Sequence, residues 1–316
     1  MTSAFNKTAW LAIAVIAIAG AAAWFRASGR PQPKIRNVLL ISIDTLRADH
    51  LSCYGYSAPT TPNIDALAGE GVLFENVIAP VPLTLPSHCS MLTGTNPTYH
   101  GVHDNLMYRL DDESNVTLAE LARQHGFTTG AIVSASVLDA RFGLQQGFES
   151  YDQVGGAGAA AGNLQERSAG QTNTVALDWL NRHRAERFFL FLHYYDPHLP
   201  YTPPPPFASR YAADPYDGEI AYADECVGQI IARLKELDLY DSTLIVLVGD
   251  HGEMLGEHGE KSHDYFIYQS AIRVPMVIRA PGLHESRRIK SIAAVIDVVP
   301  TVCRLLAIEP PGRAGG

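Results

Sequence analysis

One short stretch of the chain, PLTLPSHCSMLTG over residues 82–94, places a threonine at the start of a predicted helix. Thr84 precedes Pro86 by two residues, and proline is tolerated in the first turn of a helix. The Thr84 hydroxyl therefore has two interpretations. It can cap the helix by accepting a backbone hydrogen bond, or it can be a nucleophile if a base or a cation activates it. Local sequence favours the cap, so the rest of the chain has to decide.

Polar side chains follow three predicted strands, each at the point where an apolar run ends. The runs precede Asp44, the cluster at residues 193–198, and the pair Asp250 and His251. Ligands bind beyond the carboxyl ends of strands in α/β folds. Carboxylates with an imidazole suit a divalent cation, which would lower the pKa of a coordinated hydroxyl. These residues therefore predict a metal site. The Thr84 hydroxyl fits it as a further ligand and nucleophile, and its interpretation as a helix cap stays open at this point.

Alternating strands and helices must position these side chains. The predicted strands are NVLLISID, TTGAIVSA, RFFLFLHYYD, TLIVLVGD and VPMVIRAP. The predicted helices are TTPNIDALAGEG, TLAELARQHG, TVALDWLNRH, GEIAYADECVGQIIARLKEL and DVVPTVCRLLAI. This order predicts an α/β domain over residues 36–316, with a mostly parallel central sheet and helices on both faces.

Composition excludes several classes of protein. The chain has 24 Lys and Arg against 33 Asp and Glu, a formal charge of −9. A surface that binds nucleic acid is therefore not expected. The four cysteines lack the C-x-x-C spacing of zinc-thiolate sites, so we expect them to pack as small apolar side chains.

The N-terminal segment differs from the rest of the chain. AWLAIAVIAIAGAAAWF, residues 9–25, is apolar and uncharged, and a polar linker follows it. Its length fits a short membrane span and also the apolar core of a signal peptide. Residues 1–35 are therefore predicted to export the chain, either as a membrane anchor or as a cleaved signal that leaves a periplasmic or extracellular protein.

Five segments together resemble one family in content and order. They are NVLLISIDTLRADHLSCYGY, TTPNIDALAGEGVLFENV, PLTLPSHCSMLTGTNPTYHGVHDN, HYYDPHLPY and VGDHGEMLGEHGEKSHDYFIYQSAIRVPMVIRAPG. The sequence resembles the sulfatase family of the alkaline phosphatase superfamily. That resemblance implies an alkaline phosphatase-like α/β fold and a metal-dependent esterase. It also implies a smaller C-terminal subdomain, which we expect to be missing because the chain ends soon after its last predicted helix.

The nucleophile motif departs from the usual family pattern. The family has a Cys or Ser that is converted to formylglycine, followed by Pro and Arg, whereas this chain has Thr84 and His88 at the corresponding positions. We therefore expect no formylglycine. The resemblance points to a branch that uses an unmodified threonine on a metal, and it implies a substrate contact for His88.

The resemblance assigns further residues. Asn105 implies a contact with the substrate oxyanion, and His198 implies a contact with a substrate oxygen. His263 stands where many members have an anion-binding lysine, so it can bind anion or act as a general acid. Thr45 replaces a second acid of the family, which with a nitrogen ligand favours manganese or zinc over calcium or magnesium.

The predicted substrate is a small sulfate or phosphate ester, or an envelope glycan or lipid headgroup. Family membership favours hydrolysis of a sulfuric ester. An unmodified threonine favours phosphorus chemistry, as in phosphodiesterases, phosphonate hydrolases and phosphoethanolamine-type transferases, because formylglycine expels sulfate by an elimination that threonine lacks. An inactive membrane-tethered binding protein is the third interpretation.

Overall fold

The computed structural model describes residues 35–155, 165–263, 265–283, 285–312 and 314. The predicted export segment at residues 9–25 lies outside these ranges. None of the helices in the described ranges is long and apolar enough to cross a bilayer.

A single eight-stranded sheet organises the described residues, in the order β4-β3-β5-β1-β6-β7-β2-β8. Only β7 runs antiparallel to its neighbours, β6 and β2, and the other adjacent pairs are parallel. The predicted mostly parallel sheet is confirmed. The strands are β1 Asn37–Ile43, β2 Val72–Ile78, β3 Thr128–Ile132, β4 Ser150–Asp152, β5 Phe188–Tyr194, β6 Thr243–Gly249, β7 Arg273–Arg279 and β8 Arg287–Ala294.

Helices cover both faces of the sheet, as predicted. They are α1 Pro62–Gly69, α2 Thr84–Thr93, α3 Pro97–His100, α4 Leu118–Gln124, α5 Ala169–His183, α6 Phe207–Arg210, α7 Pro215–Glu236, α8 Gln269–Ile272 and α9 Val298–Leu306. Successive strand residues point to opposite faces, so Leu40 packs in one apolar core with α2, α4 and α9. Leu39 and Ile41 pack in the other, with α1, α5 and α7.

The sequence analysis did not predict three of the strands, β2, β4 and β8. Their residues are mostly half-exposed, whereas those of β1, β5 and β6 are all buried. A buried parallel strand is a continuous apolar run, and that signal is missing from strands at or near the sheet edge. The segment RRIKSIAA, for example, becomes β8 through its pairing with β2.

The central strands carry the polar clusters to one place. β5, β1 and β6 are adjacent, and Ile43 of β1 is in register with Tyr194 of β5 and Gly249 of β6. The residues that follow these three, including Asp44 and Asp250, therefore leave the sheet side by side.

Candidate active site

Asp44, Asp250 and His251 form a buried cluster, with one ligand atom from each lying within 4.8 Å of the others. His251 Nε2 lies 3.5 Å from Asp44 Oδ1 and 3.3 Å from Asp250 Oδ2. Both oxygens of Asp44 and Oδ2 of Asp250 have no hydrogen-bond partner among the described residues. A buried carboxylate oxygen without a hydrogen-bond partner raises the free energy of the folded state unless a cation neutralises its charge. The donor set therefore fits a divalent metal ion.

Burial and mutual charge perturb the two carboxyls in opposite directions. Burial, together with the nearby charge of Asp44, raises the pKa of Asp250 well above its usual range. Burial also opposes ionisation of Asp44, but the neighbouring imidazoles of His193, His198 and His251 hold its pKa below the usual range. Two carboxyls that share one site ionise together only at high cost, which is the electrostatic setting that a cation relieves.

The tautomer of His251 is set by its own backbone. Its Nδ1 lies 2.9 Å from the carbonyl oxygen of Gly252, which can only accept, so Nδ1 carries the proton. Nε2 then keeps the lone pair that faces the carboxylates. Burial lowers the pKa of His251 to about 3, so the ring is neutral near pH 7, as a metal ligand must be.

Thr84 does not cap its helix. The N-cap residue of α2 is Leu83, and no side-chain hydrogen bond caps the helix from that position. Thr84 is buried, and its Oγ1 lies 3.2 Å from His251 Nε2. The helix is tied to the end of β6 by Ser87, whose hydroxyl donates to the carbonyl of Asp250 at 2.6 Å. The hydroxyl thus faces the carboxylate cluster, as the nucleophile interpretation requires.

His88 lies beneath Thr84, with both ring nitrogens on protein groups. Its Nδ1 donates to the Thr84 carbonyl at 2.7 Å, and its Nε2 accepts from Ser42 at 2.8 Å. The ring is fully buried, and burial with the neighbouring His193 lowers its pKa to about 3. Both ring nitrogens are engaged, so the geometry supports a positioning role in place of the expected substrate contact.

Asn105 reaches the N-terminus of α2 from the following loop. Its Oδ1 accepts a hydrogen bond from the Leu85 backbone at 2.9 Å. That bond places the amide Nδ2 donor beside the start of the helix that carries Thr84. The predicted oxyanion contact is compatible with this placement.

His263 lies beside His251 of the cluster, and His198 lies beside His263. The His263 ring centroid is 4.4 Å from that of His251 and 5.2 Å from that of His198. His198 donates from Nδ1 to the carbonyl of Leu199 at 2.8 Å. The fold therefore brings both predicted histidines close to the cluster, although His198 precedes Asp250 by 52 residues and His263 follows His251 by 12.

Two buried residues of the site were not assigned from the sequence. The first is Glu253, whose Oε1 accepts from the backbone N–H of His263 at 2.7 Å and from its Nδ1 at 3.2 Å, which fixes that ring. The second is His193, whose Nε2 lies 3.5 Å from Asp44 Oδ2. A polar residue within or directly after a fully apolar strand was the signal available for both.

Thr45 stands where the family has a second acid, and its polar groups bond to neighbouring residues. The Thr45 backbone donates to Asp250 Oδ1 at 3.1 Å, and its hydroxyl donates to the Pro197 carbonyl. Its backbone is in the left-handed region, at φ 52°. Thr45 therefore turns its side chain toward the loop after β5, so the cluster has no second carboxylate at this position.

Comparisons with known proteins identify the family of the chain. The sequence model of the Sulfatase family matches residues 36–308. The chain belongs to the sulfatase family. The predicted membership in the sulfatase family is therefore confirmed.

Individual relatives in the sulfatase family are distant. Steryl-sulfatase of Mus musculus is 27% identical over 89% of this chain and 64% of its own length. Iduronate 2-sulfatase of the same species is 26% identical over 81% of this chain and 61% of its own length. The chain thus spans less than two thirds of these relatives.

The fold also matches solved structures. Phosphonate monoester hydrolase of Agrobacterium radiobacter superposes with a TM-score of 0.76 and 24% identity, over 87% of this chain and 74% of that one. The alkaline phosphatase-like architecture is confirmed.

Proposed function

We propose that this sulfatase-family chain is a metal-dependent hydrolase of a sulfuric ester, with Thr84 as nucleophile. One observation carries the proposal. The Thr84 hydroxyl is buried 3.2 Å from His251 Nε2, beside a carboxylate cluster that suits a cation. Asp44, Asp250, His251 and Thr84 are the proposed ligands, and their mixed oxygen and nitrogen donors favour manganese or zinc. A bound divalent ion would lower the pKa of the hydroxyl and polarise the ester.

The surrounding residues supply the rest of the reaction. Thr84 Oγ1 loses its proton to solvent and forms a bond to sulfur as the bond from sulfur to the leaving oxygen breaks, in line. Asn105 and His263 hold the remaining ester oxygens. His198, in its doubly protonated form, gives its Nε2 proton to the leaving alcohol. Water then attacks the threonyl ester and releases the product anion.

A phosphorus ester is the second candidate. Thr84 has a single hydroxyl, so its sulfate ester cannot collapse by the elimination that a hydrated aldehyde allows, whereas a threonyl phosphate or phosphonate can be released by water or by an acceptor alcohol. Some similar proteins carry phosphorus-related names. They include the phosphonate monoester hydrolase of Agrobacterium radiobacter and the multifunctional alkaline phosphatase superfamily protein of Trinickia caryophylli, which is 25% identical over 89% of this chain.

Turnover of aryl sulfate, aryl phosphate diester and aryl phosphonate esters tests the proposal, with manganese, zinc and calcium added in turn. Thr84→Ala should lower kcat by about a thousandfold or more, because it removes the nucleophile. Thr174→Ala is the matched control, since Thr174 is exposed on α5. The preferred ester decides between sulfur and phosphorus. No turnover of any ester by metal-loaded protein would reject the hydrolase and favour a transferase or a binding protein.

We also infer that the chain is exported, from the apolar segment at residues 9–25. Fractionation of cells that express the full chain, beside a variant that lacks residues 9–25, tests this. Retention of both forms in the cytoplasm would contradict it, and recovery of the full chain in membranes would favour an anchor over a cleaved signal.

A further inference from the structure

We propose that Arg47 is a positioning residue, which holds the loop after β6 in place and, through Glu253, orients His263 in the candidate active site. The loop comprises residues 252–263 and is called the His263 loop. The inference rests on the proposed function, in which His263 holds an ester oxygen. It gives a role to a buried cation that the proposed reaction does not otherwise use.

Arg47 lies just after β1, and its backbone and side chain are both fixed there. Its N–H donates to the Tyr216 hydroxyl at 3.0 Å, and that hydroxyl donates to the Thr45 carbonyl at 2.7 Å. Its Nε and Nη2 donate to the two carboxylate oxygens of Asp49 at 2.9 and 2.8 Å. A bidentate pair of this kind fixes the plane of the guanidinium. The remaining nitrogen, Nη1, therefore points in one direction.

Nη1 of Arg47 reaches the His263 loop at two points. It donates to the Glu253 carbonyl at 3.1 Å and to Glu257 Oε1 at 2.6 Å. The other carboxylate oxygen of Glu257 accepts from the Leu255 backbone at 2.7 Å. The Arg47 side chain is 7% exposed, whereas that of Glu257 is 40% exposed. A buried cation thus ties the exposed part of the loop to the end of β1.

Glu253 connects the Arg47 contact to His263. Its carbonyl accepts from Arg47, and its side-chain Oε1 accepts from the His263 backbone at 2.7 Å and from the ring Nδ1 at 3.2 Å. Because both sets of bonds belong to one residue, a shift of the backbone at Glu253 would also move the His263 ring. That ring lies 4.4 Å from the His251 ring, between centroids, so the shift would alter the candidate site.

The exposed part of the His263 loop has little buried surface of its own. Residues 255–259 are all exposed. The His258 ring stacks on Tyr268 with 3.9 Å between centroids, but Tyr268 belongs to the same connection between β6 and α8. Segments with little buried surface open locally at low free energy. The bonds to Arg47 therefore supply an attachment to the sheet that burial does not.

Hydrogen exchange of the full-length chain tests this attachment without any substrate. The readout is the amide of His263, which bonds to Glu253 and not to Arg47 or Glu257. Arg47→Met and Glu257→Ala should each raise its exchange rate by about tenfold or more, while amides of α2 keep the wild-type rate. Glu260→Ala, on the same loop, is the matched control and should leave the rate unchanged.

Three results would overturn the proposal. They are an unchanged His263 amide in Glu257→Ala, the same acceleration in Glu260→Ala, and equal acceleration in α2 and in the His263 loop. If Arg47→Met does not fold, Glu257→Ala decides alone. That variant should fold, because partly exposed ion pairs contribute little to global stability.

Ester turnover tests whether Arg47 acts through His263. Glu257→Ala should lower kcat/KM by about tenfold in the wild-type background and by no more than about twofold in the His263→Ala background, because residues that act as one unit have non-additive effects. An equal loss in both backgrounds would overturn the positioning role.

The two measurements separate this inference from the proposed function. A wild-type chain that turns over no ester would reject the hydrolase, and the exchange rates would still decide whether Arg47 holds the loop. Thr84-dependent turnover that Glu257→Ala leaves intact would reject only the positioning role of Arg47.

Discussion

At the candidate active site, the buried carboxyls of Asp44 and Asp250 lie near the imidazole rings of His251 and His263. Neighbouring groups hold each of these rings in one orientation. Gly252 fixes the proton of His251, and Glu253 fixes the ring of His263. Neither partner is a proposed ligand or nucleophile. The lone pair of His251 and the hydroxyl of Thr84 therefore face the cluster without losing further rotational entropy when a substrate binds.

Glu219 provides a test at the scale of one residue. Its pKa is raised from 4.5 to about 8 by burial, so between these pH values the unfolded chain releases a proton that the folded chain keeps. Stability should therefore fall as pH rises from about 4.5 to 8. Glu219→Gln cannot ionise, so it should gain about 1–3 kcal/mol over wild type at pH 9 relative to pH 5.

Thermal unfolding between pH 5 and pH 9 measures this difference. Glu225→Gln is the control, because Glu225 is exposed on the same helix. A wild-type minus Glu219→Gln difference that stays constant across this pH range would contradict the raised pKa.

At the scale of one element, helix α2 carries Thr84, the proposed nucleophile, and is held at both ends. Gly94 ends it in the left-handed region at φ 69°, where glycine has no Cβ penalty. At the other end, Asn105 satisfies the backbone N–H of Leu85. Any change in that cap moves the first turn, and with it Thr84.

Two substitutions of Asn105 separate its role in the helix from its proposed role toward substrate. Asn105→Ala should lower stability by about 1 kcal/mol, because the cap is lost. Asn105→Asp keeps an accepting oxygen and should keep that stability, yet it lacks the amide donor and places a negative charge near the ester. Its kcat should therefore fall at least as far as that of Asn105→Ala. Unfolding curves and ester turnover of both variants give the result, and full activity in Asn105→Asp would exclude a substrate contact.

At the scale of the whole molecule, the proposed metal ligands come from the ends of β1 and β6 and from helix α2. A cation bound there would link segments more than 200 residues apart, Asp44 and His251 being the outer pair. Because the unfolded chain has no preformed site, binding should stabilise the entire described domain.

Metal removal tests this coupling. Excess manganese or zinc should raise the Tm of the wild-type chain by about 5 °C or more over chelator-treated protein. Asp250→Asn should abolish that difference, and in chelator it should unfold at or above the wild-type temperature, because one of two crowded buried carboxyls is gone. Asp178→Asn, at an exposed position on α5, should respond to metal like wild type. An unchanged metal response in Asp250→Asn would place the ion elsewhere.

The sequence alone determined the central architecture and the polar ends of its strands. Buried parallel strands are continuous apolar runs, so β1, β5 and β6 were predictable. Each is followed by polar residues that have no place in an apolar core. The motif around Thr84 and the order of the family segments added His198 and His263 to the predicted site.

Only the tertiary structure decided which of those side chains face the centre. His88 turned toward Ser42 and the Thr84 carbonyl, and Glu253 turned toward His263. Strands β2 and β8, next to and at the sheet edge, depend on mutual pairing that their mixed composition does not predict. A cavity lined by the segment before α5, the loop after β5 and α7 likewise brings together parts of the chain that are distant in sequence. The sequence pattern predicts whether a residue is buried. The direction in which its polar atoms point depends on the hydrogen-bond partners that the tertiary structure places beside it.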